Sequence, residues 1–137
     1  MMNEWILMVP LKVFTKIKTD FSKATKELYG MTDKNFSTVP NNGSDAVFPF
    51  VYVNALPAEE VGMDLNGDAI NGGLFTFQID VYDNKSQART RKVMANIITI
   101  MKSMGFEVIA MPNFENASEP FRMVARFRRV IGASEKF

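Results

Sequence analysis

The sequence predicts an α+β fold, a two-layer sandwich in which a mainly antiparallel four-stranded sheet packs against two helices. Three observations carry this expectation. First, Phe75, Phe77, Ile79 and Val81 alternate with Thr76, Gln78, Asp80 and Tyr82, the period-two pattern of a half-buried strand. Second, the period then changes: Val93, Ile97, Ile100, Met101 and Met104 recur at helical spacing up to Gly105. Third, Phe121, Met123, Ala125 and Phe127 alternate with Arg122, Val124, Arg126 and Arg128. A strand with one apolar face and a helix with one apolar stripe bury each other. Phe75, Phe77, Ile79, Val81, Val93, Ile97, Ile100 and Phe127 are therefore expected in one core.

Taken in order, the elements read α-β-β-α-β-β within one domain, residues 1–137, a length sufficient for a core. Leu11 to Tyr29 reads as an amphipathic helix with Val13, Ile17, Phe21, Ala24 and Leu28 on one face. Pro10 suits its first turn and Gly30 its C-terminal stop. Met31 to Asp45 is polar and turn-rich. Phe50 to Leu56, bracketed by Pro49 and Pro57, is a strand apolar on both faces, so its outer face calls for a second layer or a neighbouring subunit. Pro57 to Gly73 is expected to be a long loop, functional or mobile, in which Glu59, Glu60, Asp64 and Asp68 interleave with Val61, Met63, Leu65 and Ile70. Asn84 and Gln87 fit a capping box at the second helix. Phe106 to Met111 is a short strand, Pro112 to Glu119 a connection, and Pro120 to Ile131 the longest strand. Arg129 breaks its alternation, and Ser134 to Phe137 is expected to be a loose tail.

The 47% hydrophobic and 12% aromatic content is that of a globular chain. With no Cys and no His, disulfides, thiolate–zinc sites, Cys nucleophiles and Ser–His triads are impossible within one chain. The run Trp5 to Val9 departs from a signal peptide, because Glu4 precedes it, Pro10 interrupts it and lysines follow. No stretch reaches membrane-spanning length, so a soluble intracellular chain is expected.

Net charge is +1, but it is sorted along the chain. Residues 1–34 carry six Lys and four acids, residues 35–84 seven acids and no Lys or Arg, and residues 85–137 ten Lys or Arg and four acids. Such asymmetry points to partner recognition, unless the segments neutralise each other within one fold.

Short motifs for catalysis or metal binding are weak. Asp64-Leu65-Asn66-Gly67-Asp68 opens like a calcium loop, but Ala69 and Phe75 stand where Gly and a bidentate Glu are required. Asp80, Asp83 and Lys85 fit the loose pattern of metal-dependent nucleases, which requires the three to converge on a metal. The same residues suit the start of a helix. Arg122, Arg126 and Arg128 could hold phosphates, but no aromatic interleaves on their face to stack bases. A basic first helix could lie on a membrane or nucleic acid, or simply face water.

Four stretches together carry a resemblance: Phe48-Pro49-Phe50-Val51-Tyr52-Val53, Phe77-Gln78-Ile79-Asp80-Val81-Tyr82-Asp83, Ser86-Gln87-Ala88-Arg89, and Arg122 through Gly132. Between Phe48 and Gly132 the chain resembles the tail-terminator (tail-completion, head–tail joining) proteins of long-tailed bacteriophages. The resemblance implies a virion structural subunit forming a hexameric ring that caps the tail tube, ends tail growth and joins tail to head. The implied partners are further copies of the chain, the tail-tube protein and the head connector. DNA enters only as transiting cargo, and no membrane is involved. The implied location is the head–tail junction of the virion, with assembly in the host cytoplasm. The family brings no catalytic residue, metal or cofactor. Other ring-forming head–tail or tail-tube components, and a metal-dependent nuclease, are the alternatives. Ring closure needs one patch to meet a different patch on the next subunit. Glu59, Glu60, Asp64 and Asp68 are expected to face Arg122, Arg126 or Arg128 of a neighbour.

Overall fold

The sheet grows outward from a pair of long strands in the middle of the molecule. In the computed structural model, which describes residues 3–40, 47–62, 69–114 and 120–135, α1 (Trp5–Asp20) and α2 (Lys23–Tyr29) come first. A 3-10 turn (Asp33–Asn35), β1 (Phe36–Ser37), β2 (Phe50–Ala55) and β3 (Glu59–Val61) follow. The chain closes with β4 (Gly72–Asp83), α3 (Gln87–Ser103), β5 (Glu107–Phe114) and β6 (Phe121–Gly132). β4 and β6 pair antiparallel along their whole length, from Gly72 opposite Gly132 to Asp83 opposite Phe121. The order across the sheet is β1-β2-β4-β6-β5, with β3 also on β4. The expected antiparallel set of four is present as β2, β4, β6 and β5. The sheet is nevertheless six-stranded and mixed, because β1 joins β2 in parallel.

All eight core residues named from the periodicity are buried in one cluster. Directly opposed residues in a sheet share a face. Phe75, Phe77, Ile79 and Val81 therefore lie beside Arg129, Phe127, Ala125 and Met123 under the helices. α3 contributes Val93, Met94, Ile97, Ile100 and Met101, and α1 contributes Val9, Val13 and Ile17.

Several boundaries differ from the sequence reading. The first helix starts at Trp5, with Pro10 inside it, and ends at Asp20. Trp5 is anchored by its indole N–H, which donates to the Ile70 carbonyl at 3.1 Å, and by an edge-on contact with Phe75. The run Trp5 to Val9 is thus the start of a packed helix. Phe21 turns into the core on extended backbone (ψ 139°), and Ser22 caps a separate α2 by accepting from the Thr25 N–H. The apolar stripe is broken there: Thr25 is buried while Leu28 is 71% exposed. Gly30 does end α2, in the left-handed region at φ 65°. Ser86, not Asn84, caps α3 by accepting from the Arg89 N–H at 3.0 Å. Asn84 is displaced because Asp83 already organises the turn, accepting from the Lys85 N–H.

The stretch Pro57–Gly73 is not one loop. Glu59 to Val61 pair with Leu74 to Gly72, and the Asn71 amide closes the hairpin by donating to the Gly62 carbonyl at 2.7 Å. Residues 63–68, with Asp64 and Asp68, lie outside the described residues, as does the calcium-like pentapeptide from Asp64 to Asp68. β5 runs three residues past Met111 to Phe114 and includes Pro112. An edge strand tolerates Pro because its outer N–H groups have no ladder partner. The tail starts tied down: Ala133 donates to the Asn71 carbonyl, and Glu135 pairs with Arg129. Arg129 lies on the helix side and donates to the Met104 carbonyl, which explains its departure from the arginine row.

Candidate interaction surface

The residues of β4 and β6 that point away from the helices form a second face. Among the described residues no helix lies over it. Tyr82, Asp80, Gln78, Thr76 and Leu74 of β4 stand opposite Arg122, Val124, Arg126, Arg128 and Val130 of β6. β2 adds Phe50, Tyr52 and Asn54 beside Tyr82, Asp80 and Gln78. The alternation that places Phe77 and Phe127 in the core places the three arginines here. One strand supplies both.

Asp80 is buried on this face, at 1% exposure, beneath its own ligands. Arg122 donates to its Oδ2 from Nε at 3.1 Å and from Nη2 at 2.7 Å. Tyr82 OH and the Gln78 side-chain amide donate at 3.3 and 3.2 Å. Burial raises the Tyr82 phenol pKa above its usual value, the Asp80 charge raises it further, and Arg122 opposes them. Gln78 then accepts from Arg126 Nε at 3.0 Å, and Glu107 of β5 accepts from Arg128 Nε at 2.5 Å.

Each arginine expected at an interface therefore has a partner in its own chain, but the partners differ. Arg122 and Arg128 meet carboxylates, whereas Arg126 meets only the neutral Gln78 and has no acidic partner among the described residues. Glu59 and Glu60 are exposed on β3. Glu59, opposite Leu74, shares the arginine face, while Glu60, opposite Gly73, points to the other side. They do not meet the arginines within one copy. Gln78, Asp80, Tyr82 and Glu107 were not singled out for this surface from sequence. Their signal was the period-two polar phase itself, which shows the face but not the cross-strand partners.

The acids of the nuclease pattern do not converge. Asp80 lies on the arginine face, while Asp83, three residues on, points to the helix side. There Arg89 grips it through Nε at 2.6 Å and Nη2 at 2.5 Å, with Asp83 fully buried and the arginine 14% exposed. The Asp83 hydrogen bond is the main cause of the raised Arg89 pKa. Each aspartate is thus matched by a guanidinium, and no group of three acidic side chains gathers among the described residues. No described helix is long and apolar enough to cross a membrane.

No protein-family model matches the chain, and no curated protein matches its sequence significantly.

Proposed function

We propose that the chain is a ring-forming structural subunit of a phage head–tail junction, with the tail terminator as its specific role. In this role a ring, hexameric by the resemblance, caps the tail tube, ends its growth and presents its far side to the head connector. The observation that carries the reading is a sheet face bearing Arg122, Arg126 and Arg128 that no described helix covers. It belongs to a chain whose residues 35–84 hold seven acids and no base. Such a subunit can complete its surface head to tail with copies of itself. The stretches that carry the family resemblance fall on β2, β4, the start of α3 and β6, the elements that build this face and the core beneath it.

Exposed ion pairs contribute only about 0–1 kcal/mol each. They set register and partner choice, while apolar contacts supply most of the affinity. Leu7, Leu11, Val39, Met111 and Val130 are large apolar side chains more than half exposed and available for that purpose. Another ring-forming head–tail or tail-tube component would share this logic. A nuclease is disfavoured by the divergence of Asp80 and Asp83.

Electron microscopy and solution mass test the reading. Rings are expected from the wild-type chain, and reversal of Arg126 and Arg128 to Glu is expected to leave folded monomer. Changing Asp64 and Asp68 to Lys in that variant should restore part of the assembly. A wild-type chain that stays monomeric at all concentrations, and with tail tubes added, would overturn the proposal.

A further inference from the structure

The arginine face is not flat. β5 slips twice against β6, passing from Val108 opposite Phe127 to Ala110 opposite Arg126 and then to Asn113 opposite Val124. Ile109 therefore has no residue across from it, and Met111 and Pro112 together face the single residue Ala125. The slip opens a groove of about 430 Å³ between Gln78, Ala110, Met111, Asn113, Arg122 and Arg126, with Val124 also lining it. Its chemistry is mixed in a specific way. Met111, 75% exposed, and Val124 offer apolar surface. Asn113 offers an exposed amide.

Arg126 offers the one guanidinium of the row that no described carboxylate neutralises. It is also held in place. Gln78 accepts from Arg126 and donates to Asp80, which in turn holds Arg122. A guanidinium fixed by such a chain of hydrogen bonds loses little freedom on meeting a carboxylate, and charge-assisted pairs of this kind are the strong ones.

We infer that this groove is a docking slot for the acidic segment 57–70 of a second copy of the chain, with Arg126 receiving its carboxylate. The choice of occupant rests on charge and pattern, and on the ring reading for the identity of the partner. In sequence, segment 57–70 interleaves Glu59, Glu60, Asp64 and Asp68 with Val61, Met63, Leu65 and Ile70, acids and apolar side chains that match the groove's guanidinium and apolar lining; of the two on β3, Glu59 is the one that shares the arginine face. Within one copy Glu59 does not make this contact. Glu59 stands opposite Leu74, about 13 Å along β4 from Gln78. That is too far for it to reach Arg126 of its own chain.

The probe is a labelled peptide of residues 57–70 titrated by fluorescence anisotropy against the full chain, alongside the native mass of the chain alone. The peptide should bind wild type and bind Arg126→Glu and Arg126→Gln about tenfold or more weakly, with both variants melting as wild type does. A peptide with its four acids changed to Lys should prefer Arg126→Glu. Equal binding of the native peptide to wild type and both variants overturns the slot. So does Arg126-dependent binding of a DNA duplex in preference to the peptide. If wild type forms rings that neither the variants nor excess peptide disperse, the slot falls and the ring reading stands. If wild type self-associates through Arg126 and the peptide disperses it, but the assemblies are not rings, the slot stands and the ring reading falls.

Discussion

Asp80 and Asp83 sit three residues apart on one strand, are almost equally buried, and each holds an arginine, yet they belong to opposite regions of the molecule. Asp83 lies on the helix side, where other elements exclude water from it, and its partner Arg89 is only 14% exposed. Asp80 lies on the face that no described helix covers and is shielded by Arg122, Tyr82 and Gln78, with Arg122 still 36% exposed. The difference separates two uses of burial. On the helix side it comes from tertiary packing, and disturbing it disturbs the fold. On the other side it comes from a raft of polar side chains that order one another on the sheet, and disturbing that raft disturbs what the face can recognise.

The contrast breaks most sharply with a charge placed under α3. Ile97 is fully buried in the core cluster. Ile97→Asp should cost more than about 4 kcal/mol, enough to unfold a marginally stable domain. A soluble variant melting at the wild-type temperature would show that the two faces are not distinct in the way described. Next come the two aspartates themselves. Asp83→Ala leaves the Arg89 guanidinium without its partner beneath the helix and should cost about 3–5 kcal/mol. Asp80→Ala removes the carboxylate from a guanidinium that is already 36% exposed, so about 1 kcal/mol is expected. Denaturant titration of the two variants checks the order, and equal losses would erase the comparison.

The helix side was legible in the sequence because its signal is periodic and local. Phe75 to Val81 and Val93 to Met104 each declare a buried stripe, and packing stripe on stripe is the only economical outcome. The polar face was half legible. The phase of Arg122, Arg126 and Arg128 placed them together, but which arginine is neutralised depends on cross-strand register, and β5 shifts its register twice. No local pattern encodes those slips. The first helix was misread for a related reason. Val13, Ile17 and Phe21 continue smoothly in period toward Ala24 and Leu28, and only the cap at Ser22 reveals that the chain has already turned. β3 escaped because three residues of the sequence Glu-Glu-Val carry little strand preference. Their pairing comes from Gly72 to Leu74 alongside.

An effect between those of the two aspartates tests how α3 hands the chain to β5. Gly105 has φ +83°, and Phe106 donates to the Met101 carbonyl across the turn. A Cβ there would also sit 3.2 Å from Arg129 Nε. That arginine is held by Met104 and Glu135, which limits its retreat. Gly105→Ala should therefore cost about 1–2 kcal/mol. Thermal melts would detect the loss, and an unchanged melting temperature would mean that the turn relaxes freely.

The smallest expected effect lies in the polar raft and is read by pH. Burial, and then the neighbouring Asp80 charge, hold the Tyr82 phenol above its usual pKa of 10.0. The unfolded chain therefore releases this proton first as the solution becomes alkaline. Below pH 10 the contribution of Tyr82 to stability is complete. It is lost as pH rises through the raised folded value, because unfolding is then favoured by the ionisation. The ring is open to solvent in part and Arg122 opposes the shift, so the change in melting temperature should be at most about 2 °C. Tyr82→Phe removes the ionisable group while leaving Arg122 and Gln78 on Asp80. Its melting temperature should fall less steeply than that of wild type above pH 10, and parallel curves would mean that the raft does not shield the phenol.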